Sequence, residues 1–240
     1  MIVDMFGEDS DVFRVRVSGD FPKAMPDSFI PMEWAERNSK KTLTLETPTT
    51  IDIGVDVARF GDDESVLCPV FNRRQLQPME IYHHNDTMEI TGYVVQMVER
   101  NNAKYPNAII SVKIDCDGLG VGVYDRLKEK RLPCYLRECH FGGRGGKLKA
   151  DDPVKMANST GLMWGKMREM LRCNSLELLY DDKLISQISN RKYRINSDGE
   201  IELERKEDMK RRGVSSPDRA DALGLALYDA GGIGAVTIKI

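Results

Sequence analysis

The sequence predicts a mixed α/β domain, a central sheet flanked by helices, from three observations. Two β-rich runs, TIDIGVDVA and SVLCPVFN, stand close together early in the chain; strand-like and helix-like segments then alternate; and the last regular segment, SSPDRADALGLALYDAGG, is apolar almost all round. An antiparallel start followed by an alternating α/β series implies a sheet that is part antiparallel and part parallel.

The elements follow in order. Residues 1 to 48 hold one strand pattern, VFRVRVSGDF, then proline-punctuated turns and the short amphipathic stretch PMEWAERNSKK, and read as a lead-in rather than a domain. From residue 49 to 232 the pattern is that of one domain. The first two strands are separated by the polar turn RFGDDE, and QLQPMEIYHHN adds a third, which Pro78 places at an edge or bulge. Apolar residues at helical spacing predict a helix from Met88 to Ala103, followed by the buried-type strand NAIISVKIDC and the helix GVYDRLKEKR. The strand PCYLREC, the loop FGGRGGKLKADD and a helix from Pro153 to Arg172 come next. The stretch from Asp181 to Gly213 is expected to hold a short helix and then a hairpin, KYRINSDGEIELERK, turning at SDG. In the closing helix Ser216 is placed to cap and Pro217 suits the first helical position; residues 233 to 240 form a tail.

Composition excludes several classes. With 240 residues, 41% hydrophobic and 30% charged, the chain is that of a globular protein with a sizeable core. No apolar run approaches a membrane span and the N-terminus lacks signal-peptide character, so no membrane partner and a cytoplasmic location are expected. Five cysteines at irregular spacings do not form a disulfide framework, and Cys134, Cys139 and His140 lack the second ligand pair of a zinc site. They read as core thiols and a solvated histidine, and His83 and His84 as surface residues. The net charge of −3 does not by itself mark a nucleic-acid binder. Basic residues nevertheless crowd into the glycine-rich loop, with Arg144 and Lys147, and into a run that includes Lys192, Arg194, Lys206, Lys210, Arg211 and Arg212.

Acidic residues carry the chemistry. Asp56 lies near the C-terminal end of the first strand, Asp115 and Asp117 end IISVKIDCD, and Asp218 and Asp221 open the last helix. The helix start explains Asp218 through the macrodipole, Asp117 is placed to cap the helix after it, and Asp62 and Asp63 suit a β-turn. Asp56 in an apolar strand and Asp221 in an apolar helix resist such explanations, because a buried lone charge is too costly. The order of elements is that of ribonuclease H-like domains, in which these strand ends and the last helix converge. Carboxylates so gathered need counter-charge, and hard divalent cations such as magnesium or manganese prefer oxygen ligands. Two ions about 4 Å apart can drive phosphodiester hydrolysis. The glycines of DGLGVG depart from a dinucleotide fingerprint and read as a tight turn.

IDIGVDVARFGDDESV, KIDCDGLGVGVYDRL and RKEDMKRRGVSSPDRADALGLAL together resemble the C-terminal nuclease domain of tailed-phage terminase large subunits, from about Ile51 to Gly232, and FRVRVSGDFP resembles the linker before it. The resemblance implies a ribonuclease H-like endonuclease that cuts concatemeric viral double-stranded DNA during genome packaging with magnesium or manganese, in the host cytoplasm. Its expected partners are a terminase ATPase domain, a small terminase subunit and the portal of the procapsid. It implies Asp56 and Asp115 as metal ligands with a third from the last helix, Asp221 favoured and Asp218 kept; Asp117, Asp62 and Asp63 are second-tier candidates. The basic run and the glycine-rich loop are the expected DNA contacts. The chain contains no GxxxxGK[ST] phosphate loop, so it stands as an excised domain, a gene fragment, or a nuclease whose motor is a separate chain. A sugar-kinase or actin-like ATPase needs a duplicated lobe for which there is no room. A RuvC-like resolvase of branched DNA and a non-catalytic DNA-binding or portal-docking module remain as alternatives.

Overall fold

The structure, a computed structural model, describes residues 28–42, 46–58, 63–149, 152–228 and the strand at 237–239. The predicted strand VFRVRVSGDF, Asp62 and part of the turn after the first strand lie outside the described residues.

A seven-stranded mixed sheet organises the chain. β1 (Thr50–Asp56), β2 (Ser65–Phe71), β3 (Gln75–Leu76) and β4 (Glu80–Tyr82) make the antiparallel part, with β3 and β4 both paired to β2. The run read as one strand is therefore two, interrupted around Pro78, whose missing N–H cannot serve a ladder. After helix α1 (Met32–Ser39) and this meander come α2 (Thr87–Lys104), β5 (Ile109–Asp115), α3 (Gly120–Lys128) and β6 (Tyr135–Cys139). β5 pairs in parallel with β1 on one side and β6 on the other. The short strand Thr237–Lys239 adds antiparallel to β6, so part of the expected tail extends the sheet.

The stretch between residues 141 and 158 departs from expectation. The glycine-rich segment holds β7 (Arg144–Gly146), and the helix expected from Pro153 starts only at Ser159; before it lies β8 (Met156–Asn158). Asn158 supplies the reason, because its side chain accepts from Gly161 N and caps α4 (Ser159–Arg172). α5 (Asp182–Asn190) and the predicted hairpin, β9 (Tyr193–Ile195) and β10 (Ile201–Leu203), follow. The hairpin joins β7 and β8 in a second sheet ordered β7-β8-β10-β9. The end of KYRINSDGEIELERK leaves the strand and opens a further helix, α6 (Lys206–Arg211), before the closing helix α7 (Asp218–Leu227). We label the strand at 237–239 β11.

Strand parity divides the core. Ile51, Ile53 and Val55 pack with Ile90, Val94 and Val123 under α2 and α3, while Asp52, Gly54 and Asp56 face the other way, toward α7. There Ala222, Leu223 and Ala226 meet Val66, Cys68 and Val70, with Trp164 of α4 and Ile188 of α5 behind them. Gly54 is required at the crossing: a Cβ built on it would stand 2.0 Å from Ala222 O and 2.6 Å from Ala226 N. Asp52 lies beneath α7, paired with buried Lys113 at 2.9 Å, and Lys113 also donates to Ala226 O. Among the described residues no helix is long and apolar enough to cross a membrane.

Candidate functional site

The last helix does not begin as its sequence suggests. Pro217 takes the N-cap position without a side-chain cap, and Ser216 instead donates its hydroxyl to Asp218 Oδ1. Gln187 of α5 does the capping, accepting from Arg219 N and Ala220 N while donating to Ser216 O. The helix is ten residues long and ends at Leu227. Gln187 and the Gly54 crossing fix the helix mouth over the C-terminal end of β1.

Three carboxylates meet there around one ammonium. Lys206 Nζ, at the start of α6, lies 2.9 Å from Asp221 Oδ2, 3.3 Å from Asp56 Oδ2 and 3.6 Å from Asp218 Oδ1. Asp56, Asp218 and Asp221 are all buried, Asp221 completely. The second oxygen of Asp218 accepts from Glu64 N at 2.9 Å. Glu64 accepts from Nε and Nη2 of Arg219 and is paired with Lys183. Asp221 Oδ1 accepts from Trp164 Nε1 (2.7 Å) and Arg191 Nη1 (3.0 Å). Its Oδ2 makes an ion pair with Lys206 but no aligned hydrogen bond.

Asp115 ends β5 next to this cluster, and its field reaches Asp56. Its Oδ1 accepts from Asp117 N, and the turn that follows is tight: a Cβ on Gly120 would strike Asp115 O at 1.9 Å. Asp117 does not cap α3, whose N-cap is Leu119. It accepts instead from Gly142 N and is joined to His140 Nδ1 at 2.7 Å. His140 is thus anchored rather than simply solvated, between Asp117 and Glu138, and the Asp117 hydrogen bond raises its pKa. Cys134 and Cys139 are core thiols, as expected.

The site is electrostatically divided. Burial, reinforced by Asp221, Asp218 and Asp115, pushes Asp56 up to about 8 against the attraction of Lys206. Burial likewise raises Asp115 to about 6 and moves Asp218 up. In Asp221 burial acts upward too, but Lys206, Arg191 and the hydrogen bonds outweigh it and hold the carboxyl below its usual range. Burial also disfavours the charged Lys206, yet Asp221, Asp56 and Asp218 outweigh it and hold its pKa well above the ordinary value. Stability should follow. Asp56 and Asp115 bind protons more tightly folded than unfolded, so the stability they contribute is present below their unfolded value of 3.8 and lost as pH rises through about 6 and about 8. Asp221 has the opposite sign, and its contribution is lost only in acid. In EDTA the melting temperature is expected to fall as pH rises between these values, with a shallower slope in Asp56→Asn. A rise across the same window in differential scanning fluorimetry would contradict this charge assignment.

The remaining candidates scatter around the cluster. Asp63 pairs with Lys210, Arg212 grips Glu204 with two nitrogens, Arg194 pairs with Glu202 and Arg211 with Asp208. Arg144, on β7, and Lys147 beside it are exposed, and Lys192 precedes β9. Lys206, expected on the phosphate-facing surface, points into the carboxylates. Trp164, Arg191, Glu64 and Arg219 carried no sequence signal for a role here, since each reaches the site only through tertiary contact.

The donor set suits a hard divalent cation: four carboxylates, three of them buried, with Lys206 reaching three of them and the Arg191 guanidinium only the outer oxygen of Asp221. Among the described residues no group of three or more His, Cys, Asp or Glu is already arranged to hold a metal ion. The oxygens are instead gathered on Lys206.

The fold is of the ribonuclease H-like class. Within it the chain is similar to the probable terminase large subunit of Enterobacteria phage P7, with 25% identity over 92% of this chain and 45% of that protein. The chain therefore spans about half the length of that relative. The nuclease domain of the large terminase subunit of bacterial virus Sf6 superposes with a TM-score of 0.71, at 17% identity over 85% of this chain and 100% of that domain. The large terminase nuclease of thermophilic phage G20c, with bound magnesium, gives 0.55 at 14% identity over 85% and 98%. A lysine-to-alanine mutant of the Sf6 domain is known with manganese. No protein-family model matches the chain. The resemblance to terminase large-subunit nuclease domains thus extends over most of the chain.

Proposed function

We propose that this chain is a metal-dependent endonuclease that cuts concatemeric viral double-stranded DNA during genome packaging. The observation that carries the reading is the convergence of Asp56, Asp218 and Asp221 on one point at the end of β1, beside Asp115. These four would hold magnesium or manganese, two ions in the full reading. Bound there, the metal would supply Lewis acidity and a water of lowered pKa.

The chain's own residues do the rest. Asp56 and Asp115 bind protons more readily than free carboxyls and would have to release them to hold a metal. Lys206 fills the carboxylate cluster until then and must move or share. Asp117 and Asp63 are outer candidates, Asp117 through its hold on the β5 and β6 ends, and Asp62 is retained on its motif position alone. Lys192, Arg194, Lys210, Arg211, Arg212, Arg144 and Lys147 are proposed to line the path of the phosphate backbone. The exposed ion pairs that several of them make are weak and are readily exchanged for phosphate. The lead-in at 1–48, the nuclease domain at 49–232 and the tail at 233–240 are kept as the domain scheme. An ATPase domain, a small terminase subunit, the portal and the host cytoplasm complete the proposed setting.

The test is plasmid cleavage with magnesium, manganese or EDTA. Nicking should require metal, and should fall in Asp56→Ala and Asp221→Ala by more than about 100-fold, the upper end of losses seen one step away from a metal. Undiminished nicking in both variants would remove the site assignment. Preference for four-way junctions over linear duplex would favour a resolvase, and DNA binding without cleavage in manganese a non-catalytic module.

A further inference from the structure

Asp221 has two oxygens with unlike surroundings. Oδ1 is enclosed by the Trp164 indole N–H and the Arg191 guanidinium, while Oδ2 faces Asp56, Asp218 and Lys206. Trp164 and Arg191 are themselves almost entirely buried, and the guanidinium lies over the indole, 4.7 Å from the ring centroid. Arg191 also donates from Nε to Glu204 O at 3.1 Å, just beyond β10 and two residues before Lys206. Two stacked donors on one oxygen of a fully buried carboxylate are more than packing requires. A single cation would balance the charge, whereas an indole and a fork set at fixed angles also determine the rotamer.

We infer that Trp164 and Arg191 are positioning residues, which hold Asp221 by Oδ1 so that Oδ2 alone is presented to the centre, as a one-oxygen ligand for a divalent cation. The inference rests on the proposed metal site, not on cleavage. It assigns α4 and the residue that follows α5 a share in the site that their sequence does not advertise. It also links the hairpin to the carboxylate, since the same guanidinium grips both Asp221 and the end of β10. Of the two side chains, Trp164 is the cleaner probe: phenylalanine keeps the aromatic face under Arg191 and loses only the N–H and part of the ring.

The test needs no activity. The chain has two tryptophans, so a ¹H–¹⁵N spectrum shows two indole signals, and Trp34→Phe identifies that of Trp164. The Trp164 indole is expected to shift in Asp221→Asn and on titration with magnesium chloride. In Trp164→Phe and Arg191→Met, half-saturation by magnesium in calorimetry should rise about 10- to 100-fold, the range for groups that orient a metal ligand. Arg191→Lys should recover much of the melting temperature lost in Arg191→Met but not the magnesium affinity, because an ammonium restores charge without the fork. Recovery of both together would make Arg191 a structural charge only, and wild-type magnesium affinity in Trp164→Phe would overturn the inference. An indole signal indifferent to both Asp221→Asn and magnesium would overturn it as well. Magnesium effects as described, with no plasmid nicking by the wild type, would instead sink the nuclease reading and leave the positioning intact.

Discussion

Gly54→Ala is expected to cost more than about 3 kcal/mol, beyond the usual range for overpacking, and to displace the site with it. The added Cβ would meet main-chain atoms of α7, at 2.0 Å and 2.6 Å, so no side-chain rotation relieves the clash and the helix must lift from β1. Lifting α7 carries Asp218 and Asp221 away from Asp56, so cleavage should fall further than the folded fraction does. Urea unfolding at constant m, with plasmid nicking alongside, measures both. Gly92→Ala is the control: the site in α2 is open, nothing lies within 4 Å, and the change should stabilise by about 0.5–1 kcal/mol. Gly54→Ala with near-wild-type stability would mean that β1 and α7 are not in this close contact.

The second large effect is at Lys206. Removal of one partner from a buried ion cluster costs about 3–5 kcal/mol; partial exposure of the ammonium places Lys206→Ala near the lower end. In EDTA the variant should therefore melt well below the wild type. Magnesium or manganese at about 100 times Kd should return roughly 2.7 kcal/mol by mass action. The wild type should gain less from the same addition, because its carboxylates already have a cation to give up. Equal melting temperatures in EDTA, or a smaller metal response in the variant, would show that Lys206 is not the resident counter-charge.

Much of the fold was legible because the long elements carry full periods. β1, β2, β5 and α2 each repeat their pattern for seven residues or more, and their order was enough to place the ends of β1 and β5 together. Burial made Asp56 and Asp221 conspicuous, since each interrupts an apolar run. The second sheet was not legible as a whole: β7 and β8 are three residues each, too short to show alternation, and Arg144–Gly146 has the composition of a loop. The inward turn of Lys206 was not legible for another reason. Its neighbours Arg205, Lys210, Arg211 and Arg212 form a basic run, and nothing local distinguishes the one member that turns inward. Asp117 and Ser216 sit where caps belong, yet His140 and Gly142 claim the first and Asp218 the second, which only the folded chain reveals.

The rims of the main sheet bear on how the protein behaves at high concentration. One rim ends in β3, of two residues, which is itself overlaid by Glu177 through a backbone bridge. The other ends in β11, of three residues, laid along β6. Long, flat outer strands are the templates on which separate molecules add to one another as fibres. Among the described residues the sheet closes with stubs on both sides, which leave little for a neighbour to extend, through strand length rather than through charge.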